Sequence, residues 1–117
     1  MARKNNSNVP NYNDLLKPTF DALRQLGGSG TNDEIHDKVV RILSLSDEIV
    51  DAPHFGSVNQ SELHYQLAWA RTYLKNYGAI ENSARSVWSI LTAFSEVETV
   101  DNKAVLTFVS RQKNEKR

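Results

Sequence analysis

No cysteine occurs in this 117-residue chain. That excludes disulfides, thiolate zinc sites and a cysteine nucleophile, and it fits a cytoplasmic protein. No apolar run approaches the roughly 20 residues needed to cross a bilayer. The opening MARKNNSNVP has two basic residues but no apolar segment behind them, so it does not read as a secretory signal. A phosphate-cradling loop is missing as well: GGSG at 27–30 lacks the lysine and following hydroxyl of a P-loop. Neither a Ser-His-Asp set nor a carboxylate pair can be argued from the spacing, and His36, His54 and His64 lack metal-ligand spacing. The chain is therefore read as non-enzymatic, with no catalytic residue, metal or cofactor.

Net charge is also lacking, with 14 basic and 14 acidic residues. Taken alone, that argues against a nucleic-acid partner. The charge is segregated, however. Residues 31–51 hold six acids against two bases, whereas 52–95 hold only Glu62 and Glu81 against Arg71, Lys75 and Arg85. The last eight residues, SRQKNEKR, carry four bases and one acid.

What is present is helical periodicity. Residues 1–10 are polar, Asn-rich and read as a disordered tail closed by Pro10. Asn11 heads a first helix to about Leu26, with Tyr12, Leu16, Phe20 and Leu23 as its apolar stripe; Pro18 should bend it or mark its true start. GGSG then stops the helix and reads as a flexible joint. Thr31-Asn-Asp-Glu34 is a capping box for a second helix to about Leu43, burying Ile35, Val39, Ile42 and Leu43. Ser46 caps one further turn. A loop follows from Asp51 to Asn59, broken by Pro53 and Gly56, with Phe55 and Val58 as candidate pins to the core.

The longest pattern runs from Asn59 to Gly78. Leu63, Leu67, Ala70, Leu74 and Tyr77 share one face at the 3.6 period, Asn59 and Glu62 have the form of a capping box, and Gly78 sits at a C′ position. Steps of roughly 100° per residue place His64, Ala68, Arg71, Thr72 and Lys75 on a polar arc without a carboxylate. An ordinary solvated face can look like this; a helix reading a nucleic-acid groove needs it. Trp69, Trp88, Tyr73 and Tyr77 are assigned to the core. Two short strands over 79–90 around a polar tip at Asn82–Ser86 form a hairpin, with Arg85 at the tip. For the segment after residue 92 there are two readings: a helix capped by Asp101 with Ala104, Val105 and Phe108 or Val109 inward, or a second hairpin over 97–109.

Helix, helix, long helix and hairpin is the order of a winged helix-turn-helix: mainly α, a three-helix core plus a wing, over residues 11–91, with 92–117 as an extension or linker. The DNA-contact candidates are His64, Ala68, Arg71, Thr72 and Lys75 on the helix and Asn82, Ser83 and Arg85 on the wing.

VPNYNDLLKPTFDALRQLGG and LAWARTYLKNYGAIENSARSVWSI together carry a resemblance over about Val9 to Ile90. The chain resembles the N-terminal domain of Mrr-type restriction endonucleases, its most specific pieces being Trp69 to Lys75, Gly78 and Val87 to Ile90. The resemblance implies a winged-helix module that binds double-stranded DNA, modified DNA included, and that normally precedes a nuclease domain in the same chain. The nuclease pattern is not found here: its one fit, Asp101-Asn102-Lys103, lies in the tail without a βαβ scaffold. The alternatives are an excised domain or a small protein that uses the module alone. A rival function is protein contact, as a homodimerisation or docking module, or a stand-alone transcription regulator.

Overall fold

The structure is a computed structural model and describes residues 8–54 and 60–115, with side chains to Gln112. Helix α1 (Tyr12–Gln25) opens it. Pro18 lies inside α1 and buried, and the helix runs through it rather than starting there. α1 delivers Leu15, Leu16, Phe20 and Leu23 to the core, all fully buried.

The glycine stretch stops α1, with Gly27 and Gly28 at φ 93° and 104°, but it is no loose joint. Ser29–Thr31 is a strand, β1, and Gly30 within it is buried. Alternation cannot be recognised over three residues when one of them is glycine. Helix α2 (Asn32–Leu43) begins with the expected capping box: Thr31 accepts from the Glu34 N–H, and Glu34 Oε1 accepts from the Thr31 N–H. It buries Ile35 and Val39, while Ile42 is half-buried against the core and Leu43 is exposed. Ser46 caps the short α3 (Asp47–Asp51). Phe55, Val58 and Asn59 lie outside the described residues.

Helix α4 (Glu62–Tyr77) is capped by Ser61, whose hydroxyl accepts from the His64 N–H. Glu62 turns instead to His54 and Gln66, at 2.7 Å each. Leu63, Leu67, Ala70 and Leu74 form the buried stripe, and Gly78 closes the helix in the left-handed region. β2 (Ile80–Ala84) and β3 (Val87–Ile90) form the expected hairpin, with a register irregularity between Asn82 and Ala84. β1 adds to the other edge of β3, giving an antiparallel sheet of order β1-β3-β2.

Beyond Ile90 the chain makes a 3₁₀ turn (Thr92–Phe94) and then α5 (Asn102–Glu115). Asp101 caps α5, its Oδ2 accepting from the Ala104 N–H at 3.0 Å; the second hairpin does not form. Val105 and Val109 are buried, whereas Ala104 and Phe108 are exposed. The described part of the segment after Ile90 packs on α1: Asn102 Oδ1 accepts from the Lys17 N–H at 2.8 Å, and Arg24 Nη1 donates to the Ser95 carbonyl. Among the described residues the fold is thus five helices with one small antiparallel sheet. No helix among them is long and apolar enough to cross a membrane.

Candidate nucleic-acid interface

The outer face of α4 is fixed by its buried stripe. Exposed residues are Trp69, Thr72, Lys75 and Asn76, with Tyr65 and Ala68 half-buried beside them. After Glu62 no carboxylate occurs on this helix. Lys75 and Arg85 make no ion pair among the described residues. Thr72 Oγ1 donates to the Ala68 carbonyl, four residues back, which leaves the hydroxyl oxygen facing out.

Two members of the expected polar arc are engaged within the protein. Arg71 is only 8% exposed. Around the axis it stands about 40° from Leu67, on the margin that the sheet covers. Its Cζ lies 5.6 Å from the centroid of the Trp88 ring. Burial pushes the guanidinium below its ordinary pKa, and it remains cationic at any working pH. His64 is half-buried: its ring stacks on His36 with centroids 4.1 Å apart and planes 4° from parallel, and Nδ1 lies 3.0 Å from Ser61 Oγ. Burial first, then the His36 and Arg71 charges, lower the His64 pKa, against the opposing pull of Asp33 and Asp37.

Trp69, assigned to the core, is 45% exposed. It stands nearly opposite Leu67 on the wheel. Tyr65, Trp69 and Asn76 lie on the flank beside the polar arc and belong to the outer face as well. Taking the direction directly opposite the mean of the apolar stripe finds all three.

At the wing, Arg85 and Ser86 form the turn, and Ser86 takes φ 59°. Asn82 Nδ2 donates both its protons within the hairpin, to the Ala84 and Val87 carbonyls at 2.8 Å. Its amide thus sets the shape of the tip and leaves only the carbonyl oxygen outward. Ser83 and Ser89 hydroxyls pair across the strands at 2.9 Å. The wing is also tied to the helices. Trp88 Nε1 donates to Asn32 Oδ1 at 2.8 Å, and the Ser86 carbonyl accepts from the Asn32 N–H at 3.0 Å. A continuous set of contacts, Arg71 to Trp88 to Asn32 to Ser86, therefore fixes the tip relative to α4. Among the described residues no group of three or more His, Cys, Asp or Glu could hold a metal.

The sequence model of the family described as the Mrr N-terminal domain matches residues 12–93. Comparison with curated proteins and with solved structures gives no match.

Proposed function

The chain belongs to the Mrr N-terminal domain family, and from that premise we propose that it binds double-stranded DNA as a winged helix, α4 in the major groove and the β2–β3 hairpin on the flanking backbone. Membership ties the chain to restriction systems of the Mrr type, as the N-terminal part and not the catalytic nuclease. The observation that carries the reading is two cations that form no ion pair among the described residues. Lys75 is on the carboxylate-free outer face of α4, and Arg85 is at the tip of a wing held against the same helix. The sheet order β1-β3-β2, with the hairpin directly following α4, supports the winged-helix assignment.

Phosphate contacts from Lys75 and Arg85 supply most of the affinity. Thr72, Ala68 and His64 on α4, with Ser83 and the Asn82 carbonyl on the wing, contribute base-edge and backbone contacts. Arg71 acts behind them by holding Trp88. The partners are duplex DNA, modified DNA included, and a nuclease domain in cis in the full-length protein; the setting is the cytoplasm.

The test is fluorescence anisotropy of a labelled duplex across a salt series. Lys75→Ala and Arg85→Ala should each flatten the log K against log[salt] line by about 0.9, one phosphate contact apiece. Substituting His64 or Thr72 should alter preference among sequences more than the slope. Absence of binding by the parent protein at low salt sinks the DNA reading. It would leave protein docking, for which the exposed Phe108 on α5, edge-on to Tyr77 at 5.3 Å, is the natural contact.

A further inference from the structure

One feature of the α4 outer face is not explained by phosphate binding. Between the N-terminus of α1 and α4 lies an open groove of about 450 Å³, lined by Asn11, Tyr12, Tyr65, Gln66, Trp69 and Tyr73. Its size lies within the roughly 300–1,000 Å³ of small-molecule sites. Four of the six lining residues are aromatic and none is charged. The Tyr12 ring lies 4.9 Å from Tyr73 and 6.5 Å from Trp69, tilted by 41° and 48°. Rings held at these angles do not close on one another, and the indole of Trp69 stays 45% exposed. Tyr65 is braced from behind by His54, stacked at 3.8 Å.

The polar edges are of two kinds. Gln66 is structural, accepting from the Tyr12 N–H and donating to Glu62, both within 2.8 Å. Asn11 stands at the N-cap of α1, where an asparagine side chain ordinarily accepts from the helix, yet it makes no capping hydrogen bond. Its amide is left at the rim of the groove.

Resting on the DNA-binding reading, we propose that this groove receives one unstacked nucleobase of the bound DNA, stacked on Trp69 and edged by the Asn11 amide. The chemistry matches a flat, neutral ring bearing donors and acceptors on its edge. The location supplies the second half of the argument, because Trp69 and Lys75 are both exposed on α4, one on each side of the direction opposite its buried stripe. A base extruded from a duplex held by Lys75 thus meets the groove without leaving the protein surface. Aromatic stacking of this sort tolerates any base, so the amide of Asn11 is the selective element.

Extruding a base costs least when it has no partner, which defines the experiment. The full chain is titrated into three labelled duplexes of one sequence: fully paired, with a single bulged base, and with an abasic residue at the bulge. The last keeps the flexibility of the bulge but removes the ring. The protein should bind the bulged-base duplex roughly tenfold more tightly than either of the others, the scale of one stacking contact. Trp69→Ala should abolish that preference while holding paired-duplex affinity within about threefold, and Trp69→Phe should retain most of it. Asn11→Ala should keep the preference but change its order among bulged A, C, G and T. Thermal melts establish that each variant is folded.

Equal affinity of the parent for bulged-base and abasic duplexes, with paired DNA still bound, overturns the base-capture proposal and leaves the DNA reading standing. A uniform loss across all three duplexes in Trp69→Ala overturns it too, making Trp69 an ordinary groove contact. Binding to no duplex removes both and returns the groove to a peptide or another protein segment.

Discussion

Replacing Arg71 by methionine separates a cation that belongs to the protein interior from one that belongs to its ligand. The side chain is nearly buried, its guanidinium lies over Trp88, and neither Nε nor Nη1 has a hydrogen-bond partner among the described residues. Each buried donor left unpaired costs about 1–3 kcal/mol. The cation–π contact returns about 0.5–2 kcal/mol. Methionine keeps much of the unbranched stem, so the packing loss is small. The balance favours Arg71→Met over the parent, by about 0–5 kcal/mol, with each kcal/mol raising the melting midpoint by roughly 4 °C in a chain of this size. Arg71→Ala removes the stem as well and should fall about 2 kcal/mol or more below the methionine variant. Both are measured by urea unfolding followed by circular dichroism. In the anisotropy salt series the Arg71→Met line should run parallel to the parent, since an interior cation neutralises no phosphate. A loss of stability beyond about 1 kcal/mol would mean that the charge has a stabilising partner that outweighs its desolvation. A slope lower by about 0.9 would mean that Arg71 reaches a phosphate in the complex.

Three further outcomes are expected. Leu67→Ala, at a fully buried position, should cost about 2–5 kcal/mol in urea unfolding; a cost under about half a kcal/mol would place the α4 stripe at the surface. Asp101→Ala removes the α5 cap and should cost about 0.5–2 kcal/mol. Because Val105 and Val109 tie α5 to the core, the whole domain should melt earlier, and loss of α5 signal alone, ahead of a separate main transition, would contradict that coupling. His64 is held below its ordinary 6.5 by burial and by His36, so the unfolded chain binds its proton first as pH falls. The stability this group confers is therefore full above about pH 6.5 and lost on acidification below it. Melts from pH 8 to 5 should show that decline, and His64→Gln should flatten part of it; an equally steep decline in the variant rules His64 out as its source.

What was legible in the sequence is what is decided over short distances. The α2 capping box involves residues three apart, and the Leu63–Leu74 stripe repeats within one helix; the Asp101 cap was one of two open readings, and packing of Val105 and Val109 on the core accompanies the helix that forms. The hairpin was also readable, since its strands are joined by a tight polar turn. For box, stripe and hairpin the interacting groups are held together by the chain itself, so residue types and spacing suffice. Tertiary structure alone decided the rest. Ser29-Gly30-Thr31 looks like a linker until β3, whose Trp88 is 58 residues from Gly30, offers its free edge. Arg71 lies about 40° from Leu67 and Trp69 nearly opposite it, and their fates follow from what packs there: the sheet sets Trp88 over Arg71, while Trp69 is left at the mouth of a groove shared with α1. Periodicity locates the centre of a buried face, but its width depends on what packs against it. That neighbour is chosen by contacts distant in sequence, which no local pattern of α4 encodes.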